Sequence, residues 1–118
     1  MSLSYINYKG KKVLYVDYRQ CKTTQEMLNV LEESKKLYES CSDSFLTIND
    51  FTGTTGSSEF MQKVKQYGKS TFDGRTTKSA ILGISGIKKI LLNGYNSLVK
   101  RKIVPFDTKE EALEYLVS

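Results

Sequence analysis

Few residues of this chain could do chemistry, because histidine is absent. That removes Ser-His-Asp and Cys-His catalysis, His-ligated zinc and an imidazole base. Two carboxylates, Asp17 and Asp50, each lie near the end of an extended segment. Paired carboxylates can work as general acid and base or hold magnesium. Single aspartates at strand ends more often cap the turn that follows. The two thiols, Cys21 and Cys41, bracket a helix expected over 24–39, whose ends stand about 20–25 Å apart at 1.5 Å per residue. A disulfide needs Cα atoms within about 7 Å, so the thiols are not expected to pair. Without a basic partner they read as small, half-buried residues in a reducing compartment. Tyr5, Tyr8, Tyr15 and Tyr18 cluster in one stretch. They could form a stacking platform for bases, or simply fill half-buried sheet positions.

Two glycine-bearing polar loops are the other candidates. One runs Thr52, Gly53, Thr54, Thr55, Gly56, Ser57, Ser58. The other is Gly83-Ile84-Ser85-Gly86, followed by Lys88 and Lys89. Each is expected to leave the carboxyl end of a strand and enter a helix, where free N–H groups and the helix dipole favour anions. Lys88 and Lys89 in a first helical turn oppose that dipole, and a bound anion would offset the cost. The first loop is not a P-loop, since no lysine follows its second glycine. The second lacks the full dinucleotide fingerprint. Ordinary turns and an anion site therefore both stay open.

The elements that must position these residues follow from periodicity. Ser4–Tyr8 and Lys12–Tyr18 read as an antiparallel hairpin around Lys9-Gly10-Lys11, and residues 1–3 resemble a cloning leader without structural weight. A capping box, Thr23 with Glu26, opens a helix that turns Met27, Val30, Leu31, Ser34, Leu37, Tyr38 and Cys41 to one side. Phe45–Phe51 is a strand. A second helix starts near Ser58, with Phe60, Val64, Tyr67 and Thr71 in line, and Phe72–Arg75 is a turn. Lys78–Ile84 is nearly continuously apolar, the pattern of a strand covered on both faces. The third helix, with Ser85 as its N-cap, is expected to bury Ile87, Ile90, Leu91, Gly94 and Leu98. Pro105 puts the strand Ile103–Phe106 at a sheet edge. A second capping box, Thr108 with Glu111, opens a last helix with Ala112, Leu113 and Leu116 inward.

The order ββαβαβαβα predicts a single α/β domain over residues 1–118. It should hold a five-stranded, mostly parallel mixed sheet that opens with an antiparallel hairpin and carries four helices. The length of 118 residues leaves no room for a second core. No apolar run approaches the roughly 20 residues of a membrane helix, and no signal-peptide pattern is seen, so a cytoplasmic location is expected. Charge is uneven. Residues 60–102 hold Lys63, Lys65, Lys69, Arg75, Lys78, Lys88, Lys89, Lys100, Arg101 and Lys102 against Asp73 alone, net +9. Residues 1–59 net −1 and 103–118 net −3. The basic segment could attract nucleic acid, anionic lipid or an acidic partner, or serve only solubility. Lysine outnumbers arginine 15 to 3, which weighs against base-specific nucleic-acid readout.

The hairpin, Thr47–Gly53, Ala80–Ile90 and Val104–Ala112 together resemble the SpoIIAA-like group of small bacterial proteins, related to the STAS fold. The resemblance runs along nearly the whole chain. It implies a mixed sheet with packed helices, no known catalytic activity and no cofactor. STAS proteins of the anti-sigma-factor-antagonist type switch on a phosphorylatable serine at the start of the helix after the central strand, and Ser57 and Ser58 occupy the similar place here. The expected function is a non-enzymatic interaction or regulatory module that binds a protein partner, with homodimerisation open. The alternatives are a small anionic ligand (nucleotide, phosphorylated or lipid) at the two loops, or nucleic-acid or anionic-membrane binding through 60–102.

Overall fold

The computed structural model describes residues 2–55, 57–85, 87–100 and 102–118, with Ile87 by its backbone alone. The expected order holds. Strands β1 (Leu3–Tyr8) and β2 (Lys11–Asp17) are followed by α1 (Thr24–Ser40), β3 (Phe45–Asp50) and α2 (Ser58–Tyr67). Then come β4 (Thr76–Leu82), α3 (Ile87–Asn96), β5 (Ile103–Phe106) and α4 (Lys109–Val117). The sheet order is β1-β2-β3-β4-β5, with β1 antiparallel to β2 and every other pair parallel. Lys9 and Gly10, both at positive φ, make the two-residue hairpin turn. Right-handed crossovers between neighbouring parallel strands put α1, α2 and α3 on one face. The chain then leaves edge strand β5, and α4 folds back over the other face.

Strand alternation divides the core accordingly. Leu14, Val16, Tyr18 and Phe45 join Met27, Val30, Leu31, Tyr38, Phe60 and Tyr67 under the three helices. Val13, Tyr15, Ile48, Ala80 and Leu82 meet Ala112, Leu113 and Leu116 of α4. With helices on both faces, the apolar run of β4 is explained.

Local hydrogen bonding accounts for the helix ends. The Thr23–Glu26 box is complete: the Glu26 N–H donates to Thr23 Oγ1 at 3.1 Å, and the Thr23 N–H donates to Glu26 Oε1 at 3.1 Å. The C-terminus of α1 has no basic residue of its own in its last turn. Arg75, far along the chain, supplies one, donating to the carbonyls of Tyr38 (2.8 Å), Asp43 (2.9 Å) and Cys41.

Several expectations change. Residues 2 and 3 do carry structure: the Asp17 N–H donates to Ser2 O at 2.8 Å, and Leu3 pairs with Val16 and packs on the core. The second helix ends at Tyr67 rather than reaching Thr71, a π turn over Gly68–Phe72 runs into a 3-10 turn over Asp73–Arg75 where a simple turn at Phe72–Arg75 was expected, and β4 starts earlier, at Thr76. At α4 the Glu111 N–H donates to Thr108 Oγ1 at 3.2 Å, but the Thr108 hydroxyl donates to the Glu111 carboxylate, so the box is one-sided. The main correction is the inward face of α3. Leu92 and Tyr95 are buried, as is Val99 just past the helix, while Ile90 is 70% exposed and Leu98, also past the helix end, 44%. Ile87, Ile90, Leu91, Leu92 and Tyr95 span an arc of this helix wider than one buried stripe, so its own pattern left open which part of the arc turns inward. Gly68 decides between them: a Cβ there would stand 2.6 Å from the Tyr95 hydroxyl, so only glycine leaves room for that ring.

Candidate functional site

At the carboxyl edge of the sheet the two glycine-bearing loops meet. The Phe51 N–H donates to Leu82 O at 2.9 Å, and Gly83, at φ 80°, lies against the backbone of Phe51 and Thr52. Lys88 reaches across from α3 to donate to Phe51 O at 3.3 Å. Below this junction, between the sheet and α1, α2 and α3, lies a cavity of about 90 Å³. A water needs about 10–15 Å³ of such space, so the cavity exceeds a single hydration site.

Its origin lies in strand composition. A sheet face covered by helices normally reads Val, Ile and Leu, as β2 does with Leu14 and Val16. On the same face, β3 and β4 instead place Thr47 beside Ser79 and Asn49 beside Ile81. These small polar side chains do not fill the layer. Nor do α2 and α3 approach any strand as closely as α4 approaches β4. The result is a slot. It runs from Thr76 to Ile81 along β4, about 16 Å at 3.3 Å per residue. Its walls are chiefly apolar, from Leu31, Phe60, Val64, Leu92 and Tyr95.

The slot's polar groups are ordered. The Tyr38 hydroxyl is hydrogen-bonded to Thr76 Oγ1 (3.0 Å) and Thr47 Oγ1 (3.3 Å). Asn49 Nδ2 donates to Ser79 Oγ at 3.4 Å, which leaves the Ser79 O–H free to donate elsewhere. Burial raises the Tyr38 and Tyr95 pKa values, so both phenols are neutral at ordinary pH. The mouth carries Thr55, Ser57, Ile84 and half-buried Lys88. Among the described residues Lys88 has no carboxylate partner, so its charge is un-neutralised.

Of the residues singled out in the sequence, the slot brings together Thr54, Thr55, Ser57 and Lys88. Thr54 is buried, with its N–H and hydroxyl both donating to Phe51 O. Ser57 is the N-cap of α2: Oγ accepts from the Phe60 N–H at 3.2 Å and touches Thr24 Oγ1 at 3.1 Å. Ser58, Gly53, Ser85 and Lys89 are exposed and do not line the slot. Thr52 turns the other way, toward Asp50. Gly56 and Gly86 lie outside the described residues; Ser85, the expected N-cap, stands two residues before α3, and its carbonyl accepts from the Lys88 N–H at 3.1 Å.

Asp17 and Asp50 are register partners on β2 and β3. Each accepts from the backbone two residues on, Arg19 and Thr52 respectively, as turn-capping aspartates do. Asp50, only 4% exposed, also accepts from Tyr15 OH (2.5 Å) and Thr52 Oγ1 (2.6 Å), with Arg19 Nε 3.7 Å away. Burial alone would raise the Asp50 pKa. The bonds from Thr52 and Tyr15 and the Arg19 charge outweigh it and hold the carboxyl below its ordinary value. Arg19 also takes Asp17 in a two-point contact at 2.9 and 3.0 Å, and that bonding lowers the Asp17 pKa. Among the described residues no three His, Cys, Asp or Glu side chains converge as a metal site would require.

The tyrosines of the hairpin form no common platform. Tyr18 stacks on Phe51 at 4.2 Å beneath the helices, Tyr15 lies on the α4 face, and Tyr5 is exposed. The slot floor itself escaped sequence reasoning. Its signal was there: Thr47 and Asn49 alternate in β3 where an apolar pair was due, with Ser79 directly before the apolar run Ala80–Leu82 of β4.

This geometry defines a SpoIIAA-like α/β fold, and comparison with solved structures agrees. A chain described as an uncharacterized protein from the DUF3478 family with a SpoIIAA-like fold, from Shewanella loihica PV-4, superposes with a TM-score of 0.65. The match covers 97% of this chain and 91% of that one, at 17% identity. No family model matches the sequence, and no curated protein does. Among the described residues, no helix is long and apolar enough to cross a membrane.

Proposed function

We propose that this protein is a non-enzymatic, STAS-like binding module whose ligand is a small amphiphile. Its apolar body lies in the slot between the sheet and α2 and α3, and its anionic head meets Lys88 at the mouth. The observation that carries this reading is the slot itself: an elongated apolar space, small polar side chains on its floor, and one unpaired cation at its open end. An apolar concavity with a few convergent polar groups is what small-molecule recognition needs. The polar groups fix orientation, while burial of the apolar body supplies most of the affinity. A binding role rather than catalysis is favoured because Asp17 and Asp50, the two carboxylates at this edge, are both committed to structural partners.

The test uses dodecyl phosphate and dodecanol as probes, followed by amide NMR. Saturable shifts should centre on Thr54, Ser57, Ser79, Ile81, Leu92 and Tyr95. Ser79→Leu, which fills the floor, should weaken both probes about tenfold or more. Lys88→Ala should weaken the phosphate and leave the alcohol unchanged. Unaltered binding in Ser79→Leu would overturn the placement.

A protein-binding role switched at Ser57 or Ser58 is the second reading. It is favoured by the exposure of Ser58 at the first turn of α2, where the helix dipole would stabilise a phosphate. Incubation with a serine kinase and mass mapping of the phosphate tests it. Phosphate at neither serine counts against it.

A further inference from the structure

The outward side of α3 carries a feature that neither the core nor the slot uses. Ile90 and Gly94, at i and i+4, share one face of α3, and Leu98 follows in the turn just past the helix, where its N–H donates to Tyr95 O at 2.9 Å. Ile90 is the most exposed large apolar side chain among the described residues, at 70%, and Leu98 is 44% exposed. Lysines flank these residues. From α2, Lys65 Nζ comes within 3.4 Å of the Cβ position of Gly94. Lys89 precedes Ile90, and exposed Lys100 and Lys102 follow Leu98. The nearby acid is Asp73, which accepts from the Lys100 backbone N–H at 3.1 Å.

We propose that this face of α3 docks on an anionic lipid surface, with Ile90 and Leu98 entering the acyl boundary and Lys65, Lys89, Lys100 and Lys102 lying against the headgroups. Two exposed aliphatics flanked by lysines match both components of such a surface, its apolar interior edge and its negative charge. A second copy of the chain would bring the same lysines against one another, which opposes self-association. Nucleic acid would use the lysines but gains nothing from Ile90 and Leu98, and this face offers no exposed aromatic on which bases could stack. Since no described helix is long and apolar enough to span a bilayer, the association is peripheral. It goes beyond the slot and does not require the slot to be occupied. The same helix nonetheless walls the slot through Leu91, Leu92 and Tyr95, so a ligand would enter beside the membrane.

Vesicle flotation tests this with the whole chain. Vesicles of phosphatidylcholine mixed with phosphatidylserine should bind the protein, and vesicles of phosphatidylcholine alone should not. Ile90→Ser combined with Leu98→Ser should weaken binding about tenfold or more, since each exposed methylene lost is worth about fourfold. Lys89→Ala should weaken it about fivefold. All three positions are exposed, so unchanged thermal unfolding is expected to accompany these losses. Unaltered binding of dodecyl phosphate by the same variants separates this surface from the slot. If no vesicle binds, or if the serine double variant binds as well as wild type, the proposal is overturned. Tight binding of an oligonucleotide that Ile90→Ser and Leu98→Ser leave intact would instead assign the lysines to nucleic acid.

Discussion

Gly83 offers the most exacting test of how the two loops are joined. At φ 80° a Cβ would stand 2.3 Å from Thr52 N, 2.5 Å from Thr52 Cα and 2.7 Å from Phe51 C. The atoms in the way are backbone, and they are held: the Phe51 N–H donates to Leu82 O, and the Thr52 N–H donates to Asp50. Gly83→Ala therefore carries two costs. The left-handed conformation costs an L-residue about 1–2 kcal/mol. Relieving the overlap costs about 1–3 kcal/mol more. The unfolded chain loses freedom, which returns about 0.4–1 kcal/mol. The expected net loss is about 2–4 kcal/mol. Gly53 is the internal control, with φ 79° and nothing within 4 Å of its Cβ position. Gly53→Ala should show the conformational cost alone, about 1 kcal/mol after the same return. Urea unfolding followed by far-UV circular dichroism measures both. With a slope of about 1–3 kcal/mol per molar urea, Gly83→Ala should lower the midpoint by roughly 1–2 M. If the two variants lose the same stability, the loops are not in contact at Gly83, and the geometry of the slot mouth is wrong.

Three further outcomes are expected. Asp50 is held below its ordinary pKa, so its stabilisation is complete above about pH 4 and is lost as pH falls through the folded-state value. Asp50→Asn should cost about 1.5–3 kcal/mol at neutral pH and flatten the acid limb of a midpoint-against-pH curve, leaving the part due to Asp17, Glu26 and Glu114. An acid limb as steep as wild type refutes this. Ser57→Ala should destabilise by about 1 kcal/mol in the same urea assay, because it removes the cap of α2, whereas Ser58→Ala should be near neutral. Burial raises the pKa of Tyr15, Tyr18, Tyr38 and Tyr95, so their neutral forms stabilise the fold up to about pH 10 and that contribution fades above it. Ultraviolet titration should show these phenols ionising only as the protein unfolds in alkali; early, reversible ionisation of all eight would contradict the burial.

The candidate site was legible only in parts. Thr54, Thr55, Ser57 and Lys88 could be named because a glycine-bearing polar loop between a strand and a helix is a local signal. Their neighbours on the slot floor could not be named. Thr47 and Ser79 are 32 positions apart, and only the parallel register of β3 and β4 sets them side by side. The same holds for Tyr15 and Asp50, which come together across β2 and β3. The ten basic residues of 60–102 looked alike in sequence. The fold separates them: Arg75 closes the end of α1, Lys78 bonds the last carbonyls of α4, and Lys88 guards the slot.

The sequence by itself determined the order of elements, the edge position of β5 and the start of α1. Each depends on interactions within a few residues, such as a capping pair, a two- or 3.6-residue apolar period, or a proline without an N–H. Tertiary structure decided which part of α3 is buried, because the helix carries an apolar arc wider than one buried stripe and the seating of Tyr95 over Gly68 fixes which part turns inward. It also decided that a cavity exists at all. A void is the difference between the volume that two layers enclose and the volume their side chains fill, and no single segment contains both quantities.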